Sequence, residues 1–175
     1  MNTGSDVLLI GAGELQSNPM SFQISLPGRT AGNLATVIEP HPLTDCFEHD
    51  GFCSWPFFHI MNDASCIYYS PETAVPFQPI IEIVSSYKWI RKQAALAELL
   101  VGKGRLLIST FNLSANGPAE KWWFSNLLHY MESSDFNPAV CITLDELCTL
   151  FADGTSAAGI NTNVAANAND ITMRN

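Results

Sequence analysis

The segment from Glu39 to Asp63 is rich in side chains that could bind a metal ion. Imidazole and carboxylate groups of this kind can ligate zinc or non-haem iron. No pair among them has i, i+4 spacing with clear helical support, and the first half of the segment is polar and contains Pro and Gly. We therefore interpret the segment as a solvated loop, and neither a metal nor another cofactor is predicted. The residues concerned are Glu39, His41, Asp45, Glu48, His49, Asp50, His59 and Asp63.

A cysteine nucleophile is a second chemistry that the same segment could support, because a cysteine, a histidine and an acid can form a catalytic set. In an α/β sheet the nucleophile usually lies on a sharp turn, with a glycine two residues away on each side. Around Cys53 the first glycine is present as Gly51, but the bulky Trp55 occupies the second position. This pattern disfavours catalysis. The residues that such a site would use are Cys46, Cys53, His49, His59 and Glu39.

Two further catalytic or cofactor motifs are weak. Cleavage of a glycosidic bond needs two carboxyl groups about 5–10 Å apart. Glu39 with Asp63, or Glu82 with Glu98, could supply them, but nothing in the surrounding sequence selects either pair. The glycines of Gly11-Ala12-Gly13 suggest a dinucleotide loop, yet Gln16 stands where the third glycine belongs. A simple turn is the better interpretation.

Aromatic side chains are the remaining candidates for binding. Trp122 and Trp123 are adjacent, and neighbours on a helix point about 100° apart, so they cannot both face the core. Trp122 is predicted to lie toward the edge of the buried face. Exposed aromatic rings could pack on another domain or stack on a sugar. Trp55, Phe58 and Trp122 are therefore predicted to contact a carbohydrate or a neighbouring domain.

Several elements would position these residues. Residues 94–111 predict an antiparallel hairpin, because two apolar runs flank Gly102-Lys103-Gly104. An amphipathic helix is predicted over 118–133, and a capping box at Thr143 and Glu146 predicts a second helix. Ser54 and Pro56 are typical of the start of a short helix. Strands are predicted at 6–11, 22–26, 35–38, 66–69 and 79–84.

Composition limits the classes of function. The 175 residues are 47% hydrophobic and 14% charged, with a net charge of −9 and a pI near 4.6. Such an acidic chain disfavours nucleic acid and anionic membranes as partners, and no apolar run is long enough to span a bilayer. An odd count of five cysteines argues against a fully paired disulfide framework. We expect one domain over 1–152, followed by a polar tail or linker over 153–175.

The stretch from Gln78 to Pro138 resembles a specific part of known enzymes. It contains PIIEIV, SSYKWIRKQAAL, ELLVGKGRLLISTFNL and PAEKWWFSNLLHYMESSDFNP. These runs are similar to the C-terminal region of large bacterial family 2 glycoside hydrolases, the β-galactosidase-like multidomain enzymes. Upstream, HPLTDCFEHDGFCSWPFFHIM looks like a loop and helix of the same region, although Phe47-Glu48-His49-Asp50 departs from the usual pattern. The resemblance covers roughly Thr36 to Phe151.

The resemblance implies a fold and a role. The fold would be a three-layer flavodoxin-like α/β sandwich, related in shape to class I glutamine amidotransferases. It would have a mostly parallel sheet with a C-terminal antiparallel hairpin. The role would be that of a non-catalytic accessory domain of a glycan-degrading glycoside hydrolase, packed on neighbouring domains of the larger enzyme. No catalytic residue is carried over.

Two other functions remain open. The chain could be a carbohydrate-binding module that holds a glycan through exposed aromatics. It could also be a small stand-alone amidotransferase-like hydrolase that uses Cys53 or His59. The N-terminus has no basic stretch before its short apolar run, so it does not read as a secretory signal. The resemblance nevertheless implies a periplasmic or secreted location as part of a larger protein.

Overall fold

A mixed sheet of eight strands forms the centre of the described part of the chain. The computed structural model describes residues 4–20, 35–62, 64–85, 90–114 and 117–151. The strands in these ranges are β1 (Asp6–Ile10), β2 (Ser17–Pro19), β3 (Ala35–Ile38), β4 (Ser65–Tyr69), β5 (Ile81–Val84), β6 (Lys92–Val101), β7 (Gly104–Ser109) and β8 (Cys141–Ile142). The helices are α1 (Pro42–Asp45), a 3₁₀ turn (Trp55–Phe57), α2 (Phe58–Met61), α3 (Pro118–Glu132) and α4 (Leu144–Cys148).

Strand β6 organises the sheet. It pairs with β4, β5, β7 and β8, while β1 joins β7, β2 joins β4, and β3 joins β5. Of these pairings, only β1–β7 and β6–β8 are parallel. The antiparallel β2–β4, β3–β5, β4–β6, β5–β6 and β6–β7 pairs dominate the described sheet.

The sheet buries apolar side chains on both faces. On one face, Phe57, Trp123 and Leu127 of the helical segments share a core cluster with Leu96 and Leu107 of the sheet. On the other face, Leu147 and Leu150 belong to a second cluster with Ile67, Leu99 and Ile108. Because alternate residues of a strand point to opposite faces, β6 contributes to both clusters. This explains why β6 is apolar at nearly every position.

The predicted flavodoxin-like sandwich with a mostly parallel sheet is wrong. A parallel pair needs a long crossover connection, usually a helix, whereas most strands here have antiparallel partners. In the described chain, α3 is the only helix longer than five residues. The continuous apolar run of β6 is typical of parallel strands, but here it reflects a central strand with both faces covered. The fold is predominantly β.

Most of the local elements predicted from the sequence are confirmed. The hairpin is formed by β6 and β7, with Gly102 at φ 60° in the turn. However, β7 lies between β6 and β1 rather than at an edge of the sheet. The capping box is also present, since Thr143 Oγ1 accepts from the Glu146 amide and Glu146 Oε2 accepts from the Thr143 amide.

Some predictions fall beyond the described ranges. The predicted strand at 22–26 and the tail at 153–175 are in this group. Within the described residues, no helix is long and apolar enough to cross a membrane.

Candidate binding surface

Three large aromatic side chains are exposed around one groove of the fold. Phe52 lies on the loop after α1, Trp55 begins the 3₁₀ turn and Phe58 begins α2. Their exposed fractions are 47%, 76% and 44% in that order. We call these three residues the aromatic surface. Single exposed apolar residues are ordinary, but a grouped set marks a site of interaction.

The 3₁₀ turn that follows Ser54 explains why Phe57 is buried whereas Trp55 and Phe58 are exposed. Ser54 precedes the 3₁₀ turn, and Pro56 suits its first positions, although the Ser54 side chain makes no capping hydrogen bond. Residues three apart in a 3₁₀ turn lie on the same side, so Trp55 and Phe58 face solvent together. Phe57, between them, is fully buried. The rings of Trp55 and Phe58 stack with centroids 5.2 Å apart and planes 10° apart.

A shallow groove of about 400 Å³ accompanies the aromatic surface. Its edge is held to β3 by two hydrogen bonds: the Cys53 amide donates to Thr36 Oγ1 (2.7 Å), and the Ile38 amide donates to the Gly51 carbonyl (2.8 Å). Gly51 has φ 82°, a conformation that suits glycine. The rings are therefore presented from a loop that is fixed to the sheet.

The structure does not assemble the cysteine nucleophile considered above. Burial raises the pKa of the Cys53 thiol to about 12, so at neutral pH this thiol is protonated and unreactive. The nearby His49 uses Nδ1 to accept from the Gly51 amide (3.1 Å). Glu39 lies close enough to Glu82 to help raise the pKa of that carboxyl, for which burial is the larger cause. No described hydrogen bond joins a cysteine thiol to a histidine.

Trp122 lies away from the stacked pair. It is half-buried and packs on Phe47 and Trp123, with ring centroids 4.8 and 5.2 Å away. Trp123 is fully buried, so the prediction that Trp122 lies at the edge of the buried face is confirmed. Among the described ring contacts, none joins Trp122 to Trp55 or Phe58. The structure thus brings two of the three predicted contact residues together.

Sequence reasoning missed a polar cluster formed by His41, Glu98 and Tyr130. Tyr130 of α3 donates its hydroxyl to Glu98 Oε2 of β6 (2.8 Å), and His41 Nε2 lies 3.6 Å from Glu98 Oε1. Nδ1 of His41 accepts from the Leu43 amide (3.2 Å), which caps α1 and leaves Nε2 to carry the ring proton. Burial, followed by the hydrogen bond with Glu98, raises the pKa of the Tyr130 phenol.

This cluster is best explained as structural. The side chain of Glu98 is only 12% exposed, so its carboxylate needs partners to offset its lost hydration. His41 and Tyr130 supply them, and they link α1, α3 and β6. One signal was available in the sequence: Glu98 is a lone acid within the apolar run of a buried strand. A charge in that position implies a polar partner across the core.

The described residues do not build a metal centre, and no described contact joins Glu82 to Glu98. No group of three or more His, Cys, Asp or Glu side chains is placed to hold a metal ion in the ranges that the structure covers. Glu98 accepts a hydrogen bond from Tyr130. The acidic side chain that helps to raise the pKa of Glu82 is Glu39. Asp63, the other member of the pair with Glu39, lies outside the described residues.

The described structure is a predominantly β domain. Its aromatic surface is exposed on a segment that is hydrogen-bonded to β3. Residues 2–152 match a protein family described as a domain of unknown function (DUF8487), and the chain belongs to that family. A search of curated proteins found no match.

Proposed function

We propose that this chain is a non-catalytic accessory domain of a glycan-degrading, β-galactosidase-like glycoside hydrolase, and that the aromatic surface packs against a neighbouring domain of that enzyme. The observation that carries the proposal is the stacked pair Trp55 and Phe58, exposed beside Phe52. Covering these side chains with another protein would remove apolar area from water, which is the main favourable term in association. The location that fits this role is periplasmic or secreted.

The chemistry around the rings favours a protein partner over a sugar. A sugar site needs polar groups that hydrogen-bond hydroxyls beside the aromatic face. Among the described residues that line the groove, the polar groups are the side chains of Thr36, Cys53 and Ser54 and the indole N–H of Trp55. Thr36 is buried, and its hydroxyl already accepts from the Cys53 amide. An apolar protein surface with few buried polar groups matches this lining better.

The glycosidase context rests on sequence resemblance alone. The segments that carry the resemblance form scaffold: the hairpin β6–β7, whose residues fill both faces of the sheet, and α3, which covers one face. Segments that mainly build the core of a domain are consistent with an accessory domain that packs on its neighbours.

Photo-crosslinking from the aromatic surface tests this proposal. Benzoylphenylalanine in place of Trp55, in the native host, should react with the domain that covers this surface, because that ring is 76% exposed. Mass spectrometry of the product should identify peptides of a glycoside hydrolase, either in another chain or elsewhere in the same polypeptide.

The matched control is the same amino acid at Lys103, an exposed position in the turn of the β6–β7 hairpin. It should give little or none of the product obtained from position 55. Crosslinks from position 55 to proteins unrelated to glycan cleavage, or equal products from both positions, would contradict the proposal. Protection of Trp55 by added oligosaccharide instead of by protein would favour the carbohydrate-binding alternative.

A further inference from the structure

A second cleft lies on the molecule at the carboxyl ends of two neighbouring parallel strands. Strand β1 ends at Ile10 and β7 ends at Ser109, and these two residues are register partners. The loops that follow diverge and leave a cleft of about 530 Å³. This volume lies within the range of small-molecule sites, roughly 300–1,000 Å³.

Among the described residues that line this cleft, none has an ionisable side chain. They are Ile10, Gly11, Ala12, Ala64, Ser65, Thr110, Phe111, Asn112, Leu113, Ser114 and Phe124. These residues combine hydroxyl and amide groups with apolar and aromatic side chains. With no positive group among them and a net charge of −9 on the chain, the described lining disfavours anions. It also holds no carboxylate, which is the usual partner of a bound cation.

Asn112 is oriented so that its amide group is available to a ligand. Its Oδ1 accepts from the Ser114 amide (3.3 Å) and from Ser114 Oγ (2.5 Å). Since an N–H must meet the oxygen, these contacts fix which end of the side chain is Oδ1. The two N–H groups of Nδ2 are then left as donors. Ser65 is half-exposed, and its hydroxyl makes no hydrogen bond within the described chain, so it can both donate and accept.

Gly11 adds backbone without a side chain to the lining of the cleft. Gly11 has φ 82°, and a Cβ added there would meet no heavy atom within 4 Å. Its amide donates to the Ser109 carbonyl (2.8 Å), which fixes the turn. Next to the lining residues Thr110 and Phe111, Ser109 precedes Thr110 in the chain and the ring of Trp123 contacts that of Phe111. Ser109 Oγ and Trp123 Nε1 are buried polar atoms without a hydrogen-bond partner in the described chain, and such atoms are rare in native proteins.

We propose that this cleft binds an uncharged, polyhydroxylated small molecule of the size of a mono- or disaccharide. Asn112 and Ser65 would hydrogen-bond its hydroxyls, while the half-buried ring of Phe124 would pack on an apolar face of the sugar ring. This site is separate from the aromatic surface and does not depend on the proposed accessory role, because it uses none of the same residues.

An NMR titration tests the proposal. The ¹⁵N-labelled chain would be titrated with methyl β-D-galactopyranoside, methyl β-D-glucopyranoside and lactose. At least one of these should shift the amides of Gly11, Ala12 and Asn112 saturably, with a Kd of about 1 mM, as is reasonable for a small site with few contacts. D-Galacturonate, which carries a carboxylate, should bind at least about tenfold more weakly, because the described lining has no cation to pair with it.

Two variants of the cleft and one control locate the binding. Asn112→Asp keeps the acceptor for Ser114 but replaces the donor group, so affinity should fall at least about tenfold. Ser65→Ala removes a hydroxyl that has no partner in the described fold, so it should weaken binding without affecting folding. Lys103→Ser, in the exposed turn of the β6–β7 hairpin, should leave the affinity unchanged.

The outcomes that would overturn the proposal are equally definite. They are the absence of saturable shifts with all three sugars, or wild-type affinity in both Asn112→Asp and Ser65→Ala. Shifts confined to the amides around Trp55 and Phe58 would place sugar binding on the aromatic surface instead. That last result would also count against a protein contact there, whereas loss of binding in the cleft alone would leave the accessory role untouched.

Discussion

Replacing Trp123 by Ala is expected to lower the free energy of unfolding by about 3–5 kcal/mol, as is usual for a large aromatic residue removed from a core. Trp123 is fully buried, and its ring lies 5.0–5.7 Å from those of Phe47, Phe57 and Phe111. Its Nε1 has no hydrogen-bond partner in the described chain, so the loss is one of packing. Because small domains are stable by only about 5–15 kcal/mol, much of the variant could unfold at 37 °C.

Urea unfolding followed by circular dichroism measures this effect. Trp122→Ala is a closely matched control, because it makes the same chemical change one residue away in α3 at a half-buried position. It should cost less than half as much. If the two variants lose equal stability, or Trp122→Ala loses more, then the packing of α3 on the sheet described here is incorrect.

Replacing Tyr130 by Phe is expected to lower the free energy of unfolding by about 2 kcal/mol, since hydrogen bonds to charged groups contribute about 1.5–3 kcal/mol. The substitution keeps the ring but removes the hydroxyl that donates to Glu98 Oε2 at 2.8 Å. The Glu98 carboxylate is then left with His41 Nε2, at 3.6 Å, as its remaining close partner in the described structure.

Tyr68→Phe serves as the control, because the Tyr68 ring packs under Arg91 and no described hydrogen bond involves its hydroxyl. It should change stability by less than about 0.5 kcal/mol. A double-mutant cycle with Glu98→Gln should show that the effects of Tyr130→Phe and Glu98→Gln are not additive. Full additivity would mean that the two side chains do not interact in solution.

Local structure could be read from the residues because the signals are local. Gly102 and Gly104 define the β6–β7 turn, and Thr143 with Glu146 defines the start of α4. The arrangement of strands could not be read in this way. The pairing of β1 with β7 joins residues about a hundred positions apart, and the two-residue β8 carries almost no pattern of its own. The flavodoxin-like expectation came from resemblance, and the observed strand pairing overturned it.

The candidate sites likewise depend on contacts between residues far apart in the sequence, which local patterns do not predict. Trp55 and Phe58 could be singled out because they are large aromatic residues beside a helix start, but their stacking and exposure needed the structure. The polar cluster joins positions 41, 98 and 130, and only the lone acid Glu98 in an apolar strand hinted at it. The cleft beside Gly11 depends on the parallel β1–β7 pair, so it could not be found without the sheet order.

The central claim is that the aromatic surface binds a protein domain, and an affinity measurement tests it most directly. The domain crosslinked from position 55 would be produced separately and titrated with this chain by calorimetry. The double variant Trp55→Ser, Phe58→Ser should bind at least about a hundredfold more weakly, because exposed aromatic anchors carry much of the binding energy at interfaces. Lys103→Ser should bind like the wild type. Unchanged affinity of the double variant would contradict the claim.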